Sequence, residues 1–339
     1  MRKAKKREMT AGEGPLFAAG VDVGGTKVST ALFDSGGRMF ARAKQPLDRG
    51  SGEAAAGQVA RVLRELGEEA VRAGGRVKAA AVCIPGIVYQ ADGLVWAPNV
   101  PGWIHFPLQG RLEGAVPFPV LIESDRAAYV SGEAWRGAAR GARDAVFLAV
   151  GTGIGAGIIS GGRLIRGAED ISGAVGWFAL RPEFREEYAE MGCFEAEASG
   201  TGVGRRARRL LESGVSSEMI RLAGGRIADV TAETVAAAAR LNDPPARAIM
   251  AETASTLAMG IANIVSLLNP KVIVLGGGLF QAADLLLEPI RKEIKKWAQP
   301  LAAKDLEVAV STLGEDAGLY GCGKLRSEER RVGKECTIQ

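Results

Sequence analysis

What this sequence lacks narrows it first. It holds one histidine, His105, and four cysteines, Cys83, Cys193, Cys322 and Cys336, none of them in a CxxC pair. Scattered thiols fit a reducing compartment and argue against a disulfide framework. His105 reads as a surface or loop histidine. No apolar run reaches the ~18 residues of a membrane span. The basic start, Met1 to Arg7, is not followed by an apolar stretch and a small-residue cleavage site, so no signal peptide is expected and the cytoplasm is the expected location. Excess charge is lacking as well. The formal +4 is that of residues 1–8, where Arg2, Lys3, Lys5, Lys6 and Arg7 face a single acid, Glu8. The balanced remainder offers nucleic acid no basic surface. Residues 1–16 read as a disordered basic leader.

What is present is a globular composition, 47% hydrophobic and 24% charged over 339 residues, long enough for two domains with buried cores. Phe17 to Val23, Val28 to Asp34 and Arg38 to Lys44 read as strands, with Gly36-Gly37 as a hairpin signal. Val59, Val62, Leu63, Leu66 and Ala70 follow the spacing of an amphipathic helix. Val77 to Ile84 and Val120 to Glu123 read as strands, and Arg126 to Ala138 as a helix. Ala145 to Val150, a glycine turn and Gly157 to Ser160 then echo the unit at 19–34, a weak internal repeat. A long helix over Ala246 to Leu268, a strand over Lys271 to Leu275, a helix over Ala282 to Trp297, and a final strand (Leu306 to Ser311) and helix (Asp316 to Leu325) complete the pattern. The order predicts two α/β lobes. Residues 326–339 read as a non-native tail, because RSEERRVGKEC resembles a translated sequencing-adapter oligonucleotide.

Three glycine turns carry the chemistry. Asp22-Val-Gly24-Gly25-Thr26-Lys27 follows a buried strand. Glycine lets the backbone approach a ligand closely, and successive N–H groups then converge on phosphate oxygens. Thr26 adds a hydroxyl, and Asp22 is placed to hold the water shell of a Mg²⁺. Gly151-Thr152-Gly153-Ile-Gly155 repeats the device. Neither loop is a Walker A, and neither opens a helix as a dinucleotide fingerprint does. Gly276-Gly277-Gly278, a strand-to-helix turn, offers a flat backbone for an adenine and ribose. Asp125, where a strand gives way to a helix, reads either as an N-cap or as a proton acceptor. Asn99, in the rigid loop Ala97 to Trp103, can donate to and accept from neighbouring hydroxyls.

In this order, DVGGTK (22–27), PG (85–86), APNVPGW (97–103), ESD (123–125), GTGIGAG (151–157), GCFEAEASG (192–200), LGGG (275–278) and LGEDAGLYG (313–321) resemble the ROK family of sugar kinases and related repressors, over residues 17–325. The resemblance implies an α/β, actin-like ATPase (ribonuclease H-like) fold of two lobes with a central cleft. The expected division is an N-terminal lobe over 17–124, a C-terminal lobe over 125–312, and a helix over 313–325 returning to the first lobe. The resemblance further implies ATP and Mg²⁺ at the glycine loops, Asp125 as catalytic base, and substrate contacts at Asn99, Ser124 and Glu195. The chain departs from the family at Ser124, where asparagine is usual, and in Gly173-Ala-Val-Gly-Trp177, where Ala174 and Trp177 replace a sugar-binding glutamate and a histidine that binds zinc and sugar. Of the family's cysteine motif only Gly192-Cys193 remains, with Glu186 and Tyr188 at other cysteine positions. Four N/S ligands are wanted for structural zinc, so none is expected.

The expected activity is transfer of the γ-phosphoryl group of ATP to a hexose hydroxyl, glucose to glucose 6-phosphate first. Another acceptor (an N-acetylhexosamine, fructose), polyphosphate as donor, and a non-catalytic sugar-binding regulator stay open. The repressors carry a helix-turn-helix, for which the ~16 residues before the first strand are too few. Small molecules, not nucleic acid or membrane, are the expected partners, and a homodimer is the family tendency.

Overall fold

The structure, a computed structural model, describes residues 14–325. The tail read as non-native and most of the basic leader lie outside the described residues. The chain divides into two compact units, Met1–Gly132 with Glu315–Gln339, and Glu133–Gly314.

The first unit begins with β1 (Leu16–Val23), β2 (Lys27–Phe33) and β3 (Met39–Pro46), followed by α1 (Gly52–Arg72) and β4 (Arg76–Ile84). A small antiparallel sheet follows, β5 (Ile87–Tyr89), β6 (Leu94–Trp96) and β7 (Ile104–Phe106), then α2 (Leu108–Glu113), β8 (Val120–Ser124) and α3 (Asp125–Arg136). The main sheet has the order β3-β2-β1-β4-β8. β1 pairs antiparallel with β2 and parallel with β4, and β4 pairs parallel with β8. Parallel strands are covered on both faces and read as continuous apolar runs, as Ala79 to Ile84 does; all six are buried. α1 covers the sheet with Val59, Val62, Leu63 and Leu66, each buried. At about 1.5–3 kcal/mol per buried large aliphatic side chain, this stripe holds the helix in place. Ser51 caps α1, its Oγ accepting from Ala54 N.

The second unit opens with β9 (Ala145–Val150), β10 (Ile154–Ser160) and β11 (Arg163–Leu164). Short helices follow: α4 (Glu187–Met191), α5 (Cys193–Ala198), α6 (Gly200–Glu212), α7 (Glu218–Leu222) and α8 (Ala232–Arg240). Then come α9 (Pro244–Leu268), β12 (Val272–Gly276), α10 (Ala283–Trp297), α11 (Pro300–Lys304) and β13 (Glu307–Val310). The sheet order is β11-β10-β9-β12-β13, with β9 antiparallel to β10 and parallel to β12. α9 starts at Asp243, whose side chain accepts from Ala246 N ahead of Pro244 at the first turn, and stops at Asn269, left-handed at φ 46°. Among the described residues it is the one helix long and apolar enough to cross a membrane, and it is packed in the core through Ile249, Leu257, Ile261 and Val265. Residues 317–325 are helical and belong to the first unit.

Two readings need correction. The strand expected from Gly157 begins at Ile154, so Ile154 and Gly155 are ladder residues, Gly155 opposite Ala149, and the second glycine turn shrinks to 151–153. The helices α4–α8 and the sheet β5–β7 were not anticipated.

Candidate functional site

In the first unit, strand register assembles an acidic row. Asp22 of β1 lies opposite Cys83 of β4, and Cys83 opposite Glu123 of β8. One residue past β8, Asp125 opens α3. Adjacent strands are ~4.8 Å apart, so Asp22 and Asp125 mark the ends of a span of about 10 Å across β1, β4 and β8. Among the described residues the hydrogen-bond partner of the Asp22 carboxylate is the Cys83 thiol, which donates to Oδ1 at 3.2 Å. Burial pushes the Asp22 carboxyl up to about 6, a rise that the Cys83 bond and the Lys27 charge oppose. Gly318 admits the last helix here; a Cβ on it would stand 2.5 Å from Asp22 Oδ2.

Asp125 does not cap its helix in the usual way. Its Oδ1 accepts from the next amide, Arg126 N, at 2.7 Å, not from the second or third. Ser124 Oγ donates to the same oxygen at 3.5 Å, and Arg126 Nε donates to Ser124 Oγ at 3.3 Å. Burial pushes the Asp125 carboxyl up to about 7; the Arg126 guanidinium lowers it and the Asp22 charge raises it further. The residue as a whole is half-buried.

The first glycine turn runs beside these groups. Gly24 N donates to Lys27 O at 2.8 Å and closes the turn. A Cβ on Gly24 or Gly25 would meet nothing closer than 3.4 Å, and neither residue has positive φ. The fold therefore does not demand glycine there. Gly25 lies against the Asn99 Cβ, 3.5 Å from its own virtual Cβ. The Asn99 loop is pinned from below: Ala97 N donates to Trp103 O at 2.7 Å, and the buried Trp103 donates from Nε1 to Gly52 O at 3.0 Å. Asn99 itself is exposed. So the first unit brings together Asp22, Gly24, Gly25, Asn99, Ser124 and Asp125. Thr26 is exposed at the turn, and Lys27 leans away from it to pair with Glu315 at 3.0 Å. His105 is exposed and stacked on Tyr89, with ring centroids 5.8 Å apart.

The second unit carries a cavity of about 580 Å³. Its walls are Gly151 and Thr152 from the second glycine turn, Gly200 and Thr201 at the start of α6, Gly278 and Leu279 from the third turn, and α8. Gly200 N donates to Gly151 O at 2.8 Å and ties the turn to α6. Of the first-turn amides of α6, Gly200 N is thus used and Gly202 N donates to Ser199 Oγ at 3.1 Å, which leaves Thr201 N for an anion at this end of the cavity. The three glycines of the last turn are not equivalent. A Cβ on Gly276 would sit 2.3 Å from the Phe147 ring, and on Gly277 2.5 Å from Val150 O, whereas Gly278 meets nothing within 4 Å. Packing requires the first two; only Gly278 faces open space. Gly153 lies against a side chain rather than the backbone: a Cβ there would stand 2.6 Å from Glu195 Oε2 and displace that carboxylate. That carboxylate accepts from Ile154 N at 2.7 Å, and burial raises its pKa against this bond. Sequence reasoning missed Thr201, Arg208, Glu233 and Arg240, all on the cavity wall.

The ROK family's profile matches residues 18–329. The chain belongs to the ROK family. A glucokinase of Thermotoga maritima is 32% identical over 94% of this chain and 99% of its own length. One from Halalkalibacterium halodurans is 31% identical over 91% and 94%. The structure of a ROK glucokinase from Streptomyces griseus in complex with glucose and AMPPNP aligns over 91% of this chain and 98% of its own, with a TM-score of 0.75 and 29% identity. The fold is the actin-like ATPase fold of these ROK sugar kinases.

Where this ROK chain departs from the family, the structure shows what stands instead. Glu197, 3% exposed, accepts from Tyr188 Oη at 2.7 Å, Arg185 Nη1 at 2.9 Å and Arg181 Nε at 3.3 Å. The Tyr188 phenol is held protonated, burial first and then Glu197 raising its pKa. Cys193 is a buried free thiol beside Trp177, which is 58% exposed on a cavity of about 350 Å³. Among the described residues no three His, Cys, Asp or Glu side chains converge to hold a metal ion. A buried carboxylate is stable in such a setting because a phenol and two guanidinium groups satisfy it.

Proposed function

We propose that this chain is an ATP-dependent sugar kinase that transfers the γ-phosphoryl group to a hexose hydroxyl, with Asp125 as the base. The observation that carries the reading is Asp125: a carboxylate at a strand end, its affinity for protons raised by burial to near neutrality, in the same unit as a glycine turn whose glycines the fold does not require. A base is most effective when its pKa lies near the working pH. Asp125 takes the proton of the hydroxyl as its oxygen bonds to the γ-phosphorus and the bond to the β–γ bridging oxygen breaks, releasing ADP. Asn99 orients the sugar hydroxyls, with Ser124 and Glu195 as further contacts. Gly24, Gly25 and Thr26 approach the transferred phosphoryl group, and Gly151, Thr152 and Gly278 hold the remaining phosphates and nucleoside. Asp22 fits magnesium: it is a deep carboxylate whose described partner is a thiol rather than a cation. It would hold the metal's water shell, and the bound ion would neutralise phosphate charge.

Glucose is the first acceptor to try, because the glucokinases above are the similar proteins and one of them was solved with glucose. The altered Ala174 and Trp177 weigh toward a different acceptor. A site built to hydrogen-bond a hydroxyl discriminates strongly, and neither side chain accepts such a bond as Glu and His would. The experiment is an acceptor panel of glucose, N-acetylhexosamines and fructose with ATP and Mg²⁺, read by ADP release and repeated on Asp125→Asn. Sugar-dependent ADP release that disappears in the variant is the expected result. Release that is unaffected in Asp125→Asn defeats the assignment of the base, and none with any acceptor defeats the kinase reading. The same two replacements favour, as a second reading, a sugar-binding regulator without turnover. Calorimetric sugar binding with no ADP release on the full panel would select it.

A further inference from the structure

We infer that Glu233 receives the ribose hydroxyls of the bound nucleotide and makes the protein selective for a ribonucleotide donor. The inference rests on the nucleotide reading of the second unit's cavity and adds to it an orientation and a specificity residue.

The argument starts from α8. Glu233, Ala236 and Arg240 all line the cavity, and their i, i+3, i+7 spacing places them in one stripe. Seven residues of helix span about 10 Å, the length of a nucleoside. The two ends of the stripe face different neighbours. At the N-terminal end, a Cβ on Gly200 would lie 3.8 Å from Ala232 Cβ, and one on Gly151 3.9 Å from Gly278 N, so the glycine turns and the start of α6 gather there. At the other end, Arg240 donates to Asp284 through Nε at 2.9 Å and Nη2 at 2.7 Å, and to Gln281 O at 3.1 Å, which fixes it against α10. Glu233 stands at the glycine end of the stripe, next to Ala232, with Ala236 between it and Arg240.

Chemistry then fixes what each part of the cavity takes. The glycine end offers backbone amides, the Thr152 and Thr201 hydroxyls and a helix N-terminus, all suited to phosphate. Glu233 is unsuited to it. The Thr231 hydroxyl, first, and its own backbone N–H hold its carboxyl below the usual range, so it is an anion that repels phosphate and accepts hydrogen bonds only. The donors that a nucleotide presents one step beyond its phosphates are the 2′- and 3′-hydroxyls. Acidic side chains take ribose hydroxyls in this way in dinucleotide sites. Ala236, Leu279 and Ala282 then leave an apolar stretch for the base between Glu233 and Arg240.

The test is calorimetric titration of the full chain with ADP, 2′-deoxy-ADP and 3′-deoxy-ADP, on the parent protein and on Glu233→Ala and Glu233→Gln. It needs no knowledge of the acceptor. The parent should bind ADP about tenfold or more tighter than at least one deoxy form. Glu233→Ala should lose about tenfold to a hundredfold for ADP, as expected for a hydrogen bond to a charged group, and nothing further for that deoxy form. Glu233→Gln, which keeps the shape and one acceptor oxygen, should fall between them. Equal binding of all three by the parent, or a parallel loss for all three in Glu233→Ala, overturns the inference while leaving the nucleotide reading in place. Failure of the parent to bind any of them overturns both.

Discussion

The two units share one sheet plan and load it with opposite chemistry. Each has an antiparallel run of three strands continued by two parallel strands, β3-β2-β1-β4-β8 in the first and β11-β10-β9-β12-β13 in the second. Each first hairpin closes on a valine, Val23 opposite Val28 across residues 24–27 and Val150 opposite Ile154 across the shorter turn 151–153. One position before the closing valine the first unit has Asp22 and the second has Ala149. Past the last strand the first has Asp125 and the second has Ser311. So one frame displays carboxylates and the other amides, hydroxyls and a helix N-terminus. Phosphoryl transfer needs both, because phosphates are held by neutral or positive donors while a hydroxyl is activated by an anion. The comparison also separates individual glycines: Gly24 and Gly25 of the first turn and Gly151 of the second are loose, whereas Gly153 lies against the Glu195 carboxylate.

The largest test of that contrast removes the anion. Asp125→Asn should lower kcat by about 10²–10⁴-fold, the usual weight of a general base, while calorimetric ADP binding to the second unit holds. A kcat within a few-fold of the parent would break the comparison. The parent's kcat/KM should rise with pH through about 7, where Asp125 loses its proton. Stability runs the other way. The folded carboxyl binds its proton more tightly than the unfolded one, so its contribution is complete below the unfolded value of 3.8 and is lost as pH rises through about 7. Asp125→Asn should therefore raise Tm by about a few degrees at pH 8 and by less at pH 5. Equal Tm shifts at the two pH values would contradict the burial of this charge.

The sheet plan and the acidic row were legible because they are local. Asp22 and Asp125 stand at strand ends marked by apolar runs, and each glycine turn follows its strand directly. The cavity wall was not legible. Glu233 and Arg240 sit in an alanine-rich helix, where a mild apolar stripe and scattered charges look like any solvated surface. Only the packing of α8 against Gly200 and Gln281 turns that face inward. The packing demand at Gly276 and Gly277 was not legible either, because sequence does not distinguish a glycine kept clear for a phosphate from one kept clear for Phe147 or a backbone carbonyl. The substituted cysteine positions were visible at Glu186 and Tyr188, yet Glu197, the centre of what replaces them, lies outside that motif's cysteine positions.

The next effects belong to the second unit. Glu197→Gln leaves Arg181, Arg185 and the Tyr188 phenol around a neutral group and should cost about 1–3 kcal/mol, measured by urea denaturation. An unchanged midpoint would mean that the network is incidental to the fold. Gly153→Ala places a methyl 2.6 Å from Glu195 Oε2, displaces that carboxylate from its bond to Ile154 N, and should cost about 1–3 kcal/mol, the weight of a hydrogen bond to a charged group. Glu195→Ala in the same background removes the clash, so the two changes should be non-additive; strict additivity would separate Gly153 from Glu195.

The smallest stability effect is the sharpest test of the contrast. Gly25→Ala adds a methyl in the first unit's turn, where it would meet Asn99, its Cβ at 3.5 Å and its carbonyl oxygen at 3.7 Å, ordinary contact distances. Its φ lies outside the left-handed range, so alanine brings no backbone strain. The denaturation midpoint should stay within the spread of about 0.5 kcal/mol seen for benign substitutions. Turnover should nevertheless fall, because the methyl occupies space that the fold leaves open beside Asn99. If Gly25→Ala were as destabilising as Gly153→Ala, the division between a loose Gly25 and a Gly153 set against Glu195 would be lost. If it folded and turned over like the parent, the open space at Gly25 would not be a ligand's. Stability retained with activity reduced is the one combination that a turn kept clear for phosphate predicts.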